Sequence, residues 1–77
     1  MNNWRKLIVC DPQILGGKPV LKGTRLSVEF VLDLLAAGWG KDELYENYPN
    51  LTDERLRSVL EYAADNLRNQ PPLGTPA

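Results

Sequence analysis

A chain of 77 residues with a net charge of −1 holds one domain and one small core. One cysteine and no histidine exclude an internal disulfide and a zinc site of the usual kind, and no metal or other cofactor is expected. No stretch is long and apolar enough to span a bilayer, and Met-Asn-Asn-Trp-Arg-Lys leads into no signal-peptide core, so a cytoplasmic protein is expected.

The charge is unevenly spread. Residues 1–25 carry Arg5, Lys6, Lys18, Lys22 and Arg25 against Asp11, a net +4, whereas residues 26–77 carry four basic side chains against nine acids, a net −5. Any contact with nucleic acid must therefore come from local patches or from two copies acting together.

In chain order, Leu7-Ile8-Val9-Cys10 is a β-branched apolar run stopped by Asp11-Pro12, with Cys10 read as a buried strand residue. Ile14-Leu15 and Val20-Leu21 flank Gly16-Gly17-Lys18-Pro19, a spacing that suits a short hairpin. The glycines and lysine invite a phosphate loop but lack its remaining spacing and its serine or threonine, so a turn is the better reading.

After the break Lys22-Gly23-Thr24, Val28, Val31, Leu32 and Leu35 recur at helical spacing. Phe30, Leu34 and Ala37 widen that stripe until only Glu29, Asp33 and Ala36 face water, so this helix is expected to be nearly surrounded. Ser27 caps its start and Gly38 closes its end. A second helix is expected from Lys41 after a Gly40 cap, with Leu44 and Tyr48 inward and Pro49 as its stop. Thr52 caps a third, with Leu56, Val59, Leu60, Ala63 and Leu67 as its buried stripe. The pairs Leu26 with Val31, Trp39 with Leu44, and Leu51 with Leu56 place an apolar residue before each cap and another at the fourth helical position, the arrangement of a hydrophobic staple. Residues 1–68 thus form one domain, and residues 69–77, rich in proline, read as a flexible tail.

The predicted fold is mainly α: a three-helix, homeodomain- or helix-turn-helix-like domain preceded by a short β-hairpin. No nucleophile is paired with a base, so no enzymatic activity, catalytic residue or small-molecule substrate is expected. The third helix should turn Glu54, Ser58, Glu61, Tyr62, Asp65 and Arg68 outward, with Arg55 and Arg57 on its flanks. That face is mostly acidic and poor in the donors that read base edges. Candidate nucleic-acid contacts are therefore Lys18, Lys22, Arg25, Arg55 and Arg57, acting on backbone phosphates. Gly23-Thr24-Arg25 also admits a structural reading, a tight turn whose arginine pairs with a nearby carboxylate, and Trp39 and Tyr62 read as core or dimer-contact aromatics.

Asp11-Pro12, Gly16-Gly17-Lys18-Pro19-Val20, Gly23-Thr24-Arg25, Leu34-Leu35-Ala36-Ala37-Gly38, Tyr48-Pro49-Asn50-Leu51-Thr52 and Leu60-Glu61-Tyr62-Ala63-Ala64 follow one another as in domain of unknown function 433 (DUF433), and the chain resembles that family over residues 8–64. It departs from the usual pattern at Gly40, where serine or threonine is commoner. The resemblance implies a helix-turn-helix-like domain behind a β element and an antitoxin-like regulator whose partner is a PIN-like nuclease toxin. The expectation is a homodimer that binds such a toxin and its own promoter DNA; the alternative is a protein-interaction module with no DNA binding.

Overall fold

The computed structural model describes residues 4–69. The expected flexible tail lies outside the described residues, apart from Asn69 at the end of the last helix. A 3-10 turn at Trp4–Lys6 leads into β1 (Ile8–Cys10), which pairs antiparallel with β2 (Pro19–Leu21) in the register Ile8 to Leu21, Val9 to Val20 and Cys10 to Pro19. Three helices follow: α1 (Val28–Ala36), α2 (Lys41–Asn47) and α3 (Asp53–Arg68).

The predicted three helices behind a hairpin are present, but the hairpin pairs β2 with Ile8–Cys10 instead of with Ile14-Leu15. The reason lies in residues 11–18. Ile14 and Leu15 fall in a 3-10 turn, Leu15–Gly17, where Leu15, Gly16 and Gly17 have φ of 50°, 68° and 89°. No strand accommodates three consecutive positive φ values. Cys10 is likewise exposed and not buried, because β1 ends there, beyond the cover of the helices.

Helix ends follow local chemistry. The Ser27 hydroxyl accepts from the Phe30 amide at 2.9 Å, and Thr52 accepts from the Arg55 amide at 3.2 Å. Gly40 has no side chain to offer, so only the reciprocal half of a capping box exists: its amide donates to Glu43 Oε1 at 3.1 Å. The close of α1 needs Gly38 at φ 99°, which lets the Trp39 amide reach Leu34 O at 3.1 Å and the Gly38 amide reach Leu35 O at 3.0 Å.

The core joins Ile8 and Leu21 of the hairpin to Val28 and Val31 of α1, Leu44 of α2, and Leu51, Leu56 and Val59 at and within α3. Each such side chain contributes roughly 1.5–3 kcal/mol on burial. Two expectations about this core need correction. Helix α1 is not nearly surrounded: only Val28 and Val31 are fully buried, because β2 and α3 cover one side of it alone, and Phe30 is 38% exposed. Helix α3 buries Leu56 and Val59 as expected but leaves Leu60 and Leu67 47% and 66% exposed, while Ser58, expected outside, is 1% exposed. Ser58 is tolerated there because its hydroxyl donates to Glu54 O at 3.1 Å.

The rotation of α3 is set from the N-terminus. Trp4 packs edge-on against Tyr62 at 4.8 Å between ring centroids, its indole N–H donates to Asp65 Oδ2, and the Arg5 guanidinium lies 4.5 Å over its ring. Tyr62 and Asp65, expected outside, are therefore half-buried. The indole hydrogen bond, opposed by partial desolvation and aided by the Arg68 charge, holds the Asp65 carboxyl below its ordinary 3.8. A carboxylate with a lowered folded value stabilises the fold above the unfolded value and loses that contribution as pH falls through the folded one. Urea midpoints of the wild type are expected to fall on acidification below about pH 4, and Asp65→Asn to flatten that limb. Trp4→Ala is expected to lower stability by roughly 2 kcal/mol at neutral pH, read as a lower midpoint at unchanged slope. A midpoint indifferent to Trp4 would remove it as the element that sets the rotation of α3.

Candidate nucleic-acid interface

Lys18, Lys22 and Arg25 sit on the two turns that bracket β2. Lys18 follows the glycine turn and pairs with Glu29 of α1 at 3.2 Å, both side chains being exposed, a contact worth at most about 1 kcal/mol. Beyond β2 the chain reverses at Gly23, φ 80°, and Thr24 fixes the reversal: its hydroxyl donates to Leu21 O at 2.8 Å and accepts from the Leu26 amide at 3.0 Å. Leu21 and Leu26 close the loop with a backbone bond of 2.9 Å. The tight turn is as expected, but its arginine is not held by a carboxylate. Arg25 is exposed and has no ion pair with any described residue, and the same holds for Lys22.

Two concavities adjoin at Arg25. One of about 400 Å³ is lined by Leu15, Lys18, Arg25 and Phe30, with Leu26 and Ser27 at its floor. The other, about 250 Å³, lies between Arg25 and the turn that joins α2 to α3, with Asn47, Tyr48, Pro49 and Asn50 on its far side. Arg25 and Leu26 line both. Arg55 reaches the same turn, its Nη1 donating to Asn50 O at 2.5 Å. Lys18, Arg25 and Arg55 are thus brought to one side of the α2–α3 turn or beside it.

Arg57 is drawn elsewhere. It pairs with Asp53 at 3.2 Å, where Lys41 approaches at 3.5 Å and the Tyr45 hydroxyl donates at 3.0 Å. The Tyr45 hydrogen bond, followed by the Lys41 and Arg57 charges, holds the Asp53 carboxyl below its ordinary value. Desolvation and then Asp53 itself push the Tyr45 hydroxyl up. An arginine engaged in such a network is less free to contact phosphate than Arg25.

Sequence reasoning missed the aromatic neighbours of these cations. Phe30 stands edge-on to Tyr48 at 5.6 Å and 84°, and Tyr48 leans on Trp39 at 6.2 Å and 39°. The signal for Phe30 was present: it lies two residues after Val28 and one before Val31, off the stripe those residues define. Leu15 is 46% exposed at a positive φ that only the folded chain reveals.

On another side of the molecule a groove of about 490 Å³ runs between α1 and α3, lined by Val28, Leu32, Tyr62, Ala63 and Leu67 with Glu29 and Asp33 at its edge. Among the described residues no helix is long and apolar enough to cross a membrane, and no cluster of three or more His, Cys, Asp or Glu is placed to hold a metal ion.

The chain is similar to known proteins of one kind. Residues 8–63 match the family described as Protein of unknown function (DUF433). An uncharacterised protein, y4eO, of Sinorhizobium fredii (strain NBRC 101917 / NGR234) is 39% identical over 62 residues, which is 80% of this chain. The crystal structure of a DUF433 member protein from Anabaena variabilis ATCC 29413 superposes with a TM-score of 0.74 at 31% identity over 79% of this chain. The chain spans 28% of the length of the first relative and 60% of the second. With the family match, the shared hairpin-plus-three-helix architecture and both relatives in agreement, the chain belongs to the DUF433 family.

Proposed function

We propose that this chain is an antitoxin-like regulator that holds a PIN-like nuclease toxin against its open α1–α3 face and, as a homodimer, contacts its own promoter DNA through backbone charge. The observation that carries the protein-binding half is the face itself. Leu60 and Leu67 stand bare on α3, one on each side of Ala63 in sequence, while the same helix buries a serine. An apolar stripe left outside a core this small favours cover by another chain. The class of partner, a PIN-like nuclease, is carried over from the resemblance to the family.

For the DNA half, Lys18, Lys22, Arg25 and Arg55 supply phosphate contacts and Arg57 is the weakest of the five candidates, being engaged with Asp53. Helix α3 offers little to base edges: Glu54 and Leu60 are exposed on it, and the Asn66 amide is turned back to Tyr62 O at 2.9 Å. That acidic and apolar surface is the specific support for the second reading, an interaction module that never touches DNA.

Co-expression with the product of the adjacent gene is the first test. The wild type is expected to retain that product, and Leu60→Lys with Leu67→Lys to lose it while changing urea stability by no more than about 0.5 kcal/mol. Retention by the double variant removes the α1–α3 face as the docking site. Sedimentation at a protein concentration on the order of tens of micromolar is expected to give a dimer; a monomer alone counts against the homodimer.

For promoter binding, the wild type is expected to show a steep fall of affinity with salt. Lys22→Ala with Arg25→Ala should flatten the slope by about 2, one per phosphate contact. An unchanged slope assigns those two residues to the turn alone, and no binding at low salt favours the interaction module.

A further inference from the structure

We infer that the two concavities adjoining at Arg25 form one continuous surface for single-stranded nucleic acid, with Lys18 and Arg25 on its phosphates and the rings of Phe30 and Tyr48 against its bases. This rests on the nucleic-acid half of the proposed function and changes the ligand that these residues are built for.

Charge and continuity come first. Arg25 and Leu26 line both concavities, so a ligand crossing one enters the other without leaving the surface. No carboxylate lines either of them. Lys18 has one exposed partner, Glu29, at 3.2 Å, and Arg25 has none among the described residues. A phosphate displaces so weak a surface pair at little cost.

The rings select a base over a plain anion. Phe30 remains 38% exposed at the end of a stack in which Tyr48 supports it and Trp39 supports Tyr48. Rings fixed from behind and bordered by cations are the elements from which sequence-tolerant single-strand sites are made. Side-chain amides complete the set: Asn47 uses its Nδ2 on Glu43 O at 2.9 Å and keeps its carbonyl oxygen for a base edge, and the Asn50 side chain makes no hydrogen bond among the described residues.

Leu15 adds a second observation. A bulky residue at φ 50° carries a backbone cost of about 1–2 kcal/mol, and the conformation holds its side chain, 46% exposed, on the wall of the cavity opposite the cations. A duplex does not use these features. Its bases are already stacked and paired, so Phe30 and Tyr48 gain nothing from it unless it opens, and opening costs a few kcal/mol.

The test is fluorescence anisotropy of the full chain with labelled oligo(dT) and oligo(U) of about twelve nucleotides, within the usual range of single-strand site sizes. A duplex of equal length and a labelled oligoglutamate run beside them, all between about 50 and 200 mM salt. Single strands are expected to bind at least about ten-fold tighter than the duplex. Phe30→Leu, which keeps an apolar side chain in place, should weaken single-strand binding about five-fold or more with the salt slope unchanged. Lys18→Ala and Arg25→Ala should each flatten the slope by about 0.7. Tyr48→Phe keeps the ring and should bind as the wild type, and circular dichroism with urea midpoints verifies that each variant is folded.

The inference is overturned by any of four results. These are no single-strand binding at the lowest salt, duplex bound as tightly as single strand, Phe30→Leu without effect, or oligoglutamate bound as tightly as oligo(dT), which would make the surface an acidic-peptide site. Promoter duplex bound without preference for single strands sinks this inference and leaves the regulator standing. Single-strand binding by a chain that retains neither the promoter nor the adjacent gene product sinks the regulator and leaves this inference standing.

Discussion

Helix α3 can turn only one stripe toward the core, and the contact of Trp4 with Tyr62 and Asp65 decides which. By hydropathy alone the helix would bury Leu60, Ala63 and Leu67. The indole claims the neighbouring stripe instead, because an edge-on ring pair and a charge-assisted hydrogen bond act together at one point. The first half of the helix is held by Leu56 and Val59, which are buried under either rotation, so the choice falls on the second half. Once Tyr62 and Asp65 face the N-terminal turn, Ser58 is carried inward and Leu60 and Leu67 outward. The open groove between α1 and α3 and its acidic edge follow from that one rotation.

This also marks where sequence reasoning stopped. Signals local to a few residues were legible: Ser27, Gly40 and Thr52 stand at the starts of the helices, Gly38 at the close of α1 and Pro49 beyond α2, and the three helices begin where those residues place them. Each is decided by a hydrogen bond or a backbone angle within one turn. The misplaced features were decided at a distance. Residues 4 and 65 meet across almost the whole described chain, and nothing in the periodicity of either segment announces the contact. The hairpin partner of β2 was missed for a related reason. Ile14-Leu15 has strand composition, but two adjoining glycines draw it into a left-handed turn, and the sheet takes the earlier run, Ile8–Cys10.

The candidate interface was legible in its charges and opaque in its shape. An excess of basic residues up to Arg25 is a matter of counting, and Lys18, Lys22 and Arg25 do lie on adjacent turns. Composition could not say that the α2–α3 turn would fold beside Arg25, that Arg55 would reach its carbonyl, or that Arg57 would be drawn into the Asp53 network. Nor could it say that Phe30, counted among the core residues of a surrounded helix, would stand at the surface once α1 proved to be covered on one side only.

The two open surfaces differ in kind, and the difference comes from the order of charge along the chain. The basic N-terminal third supplies both turns around β2, so the concavities at Arg25 carry cations and aromatic rings with no acid among them. The acidic remainder supplies α1 and α3, so the groove between those helices is apolar with Glu29 and Asp33 at its edge. A polyanion is attracted to the first and repelled by the second, while a partner with an apolar stripe bordered by lysine or arginine has the opposite preference. The Lys18–Glu29 pair joins the two surfaces, since Lys18 lines one and Glu29 the other. Because both members are exposed, the pair contributes little to stability. Either residue can therefore turn to a ligand on its own side without loosening the core, which is held by Leu21, Leu44, Val31 and Val59 well away from the charges.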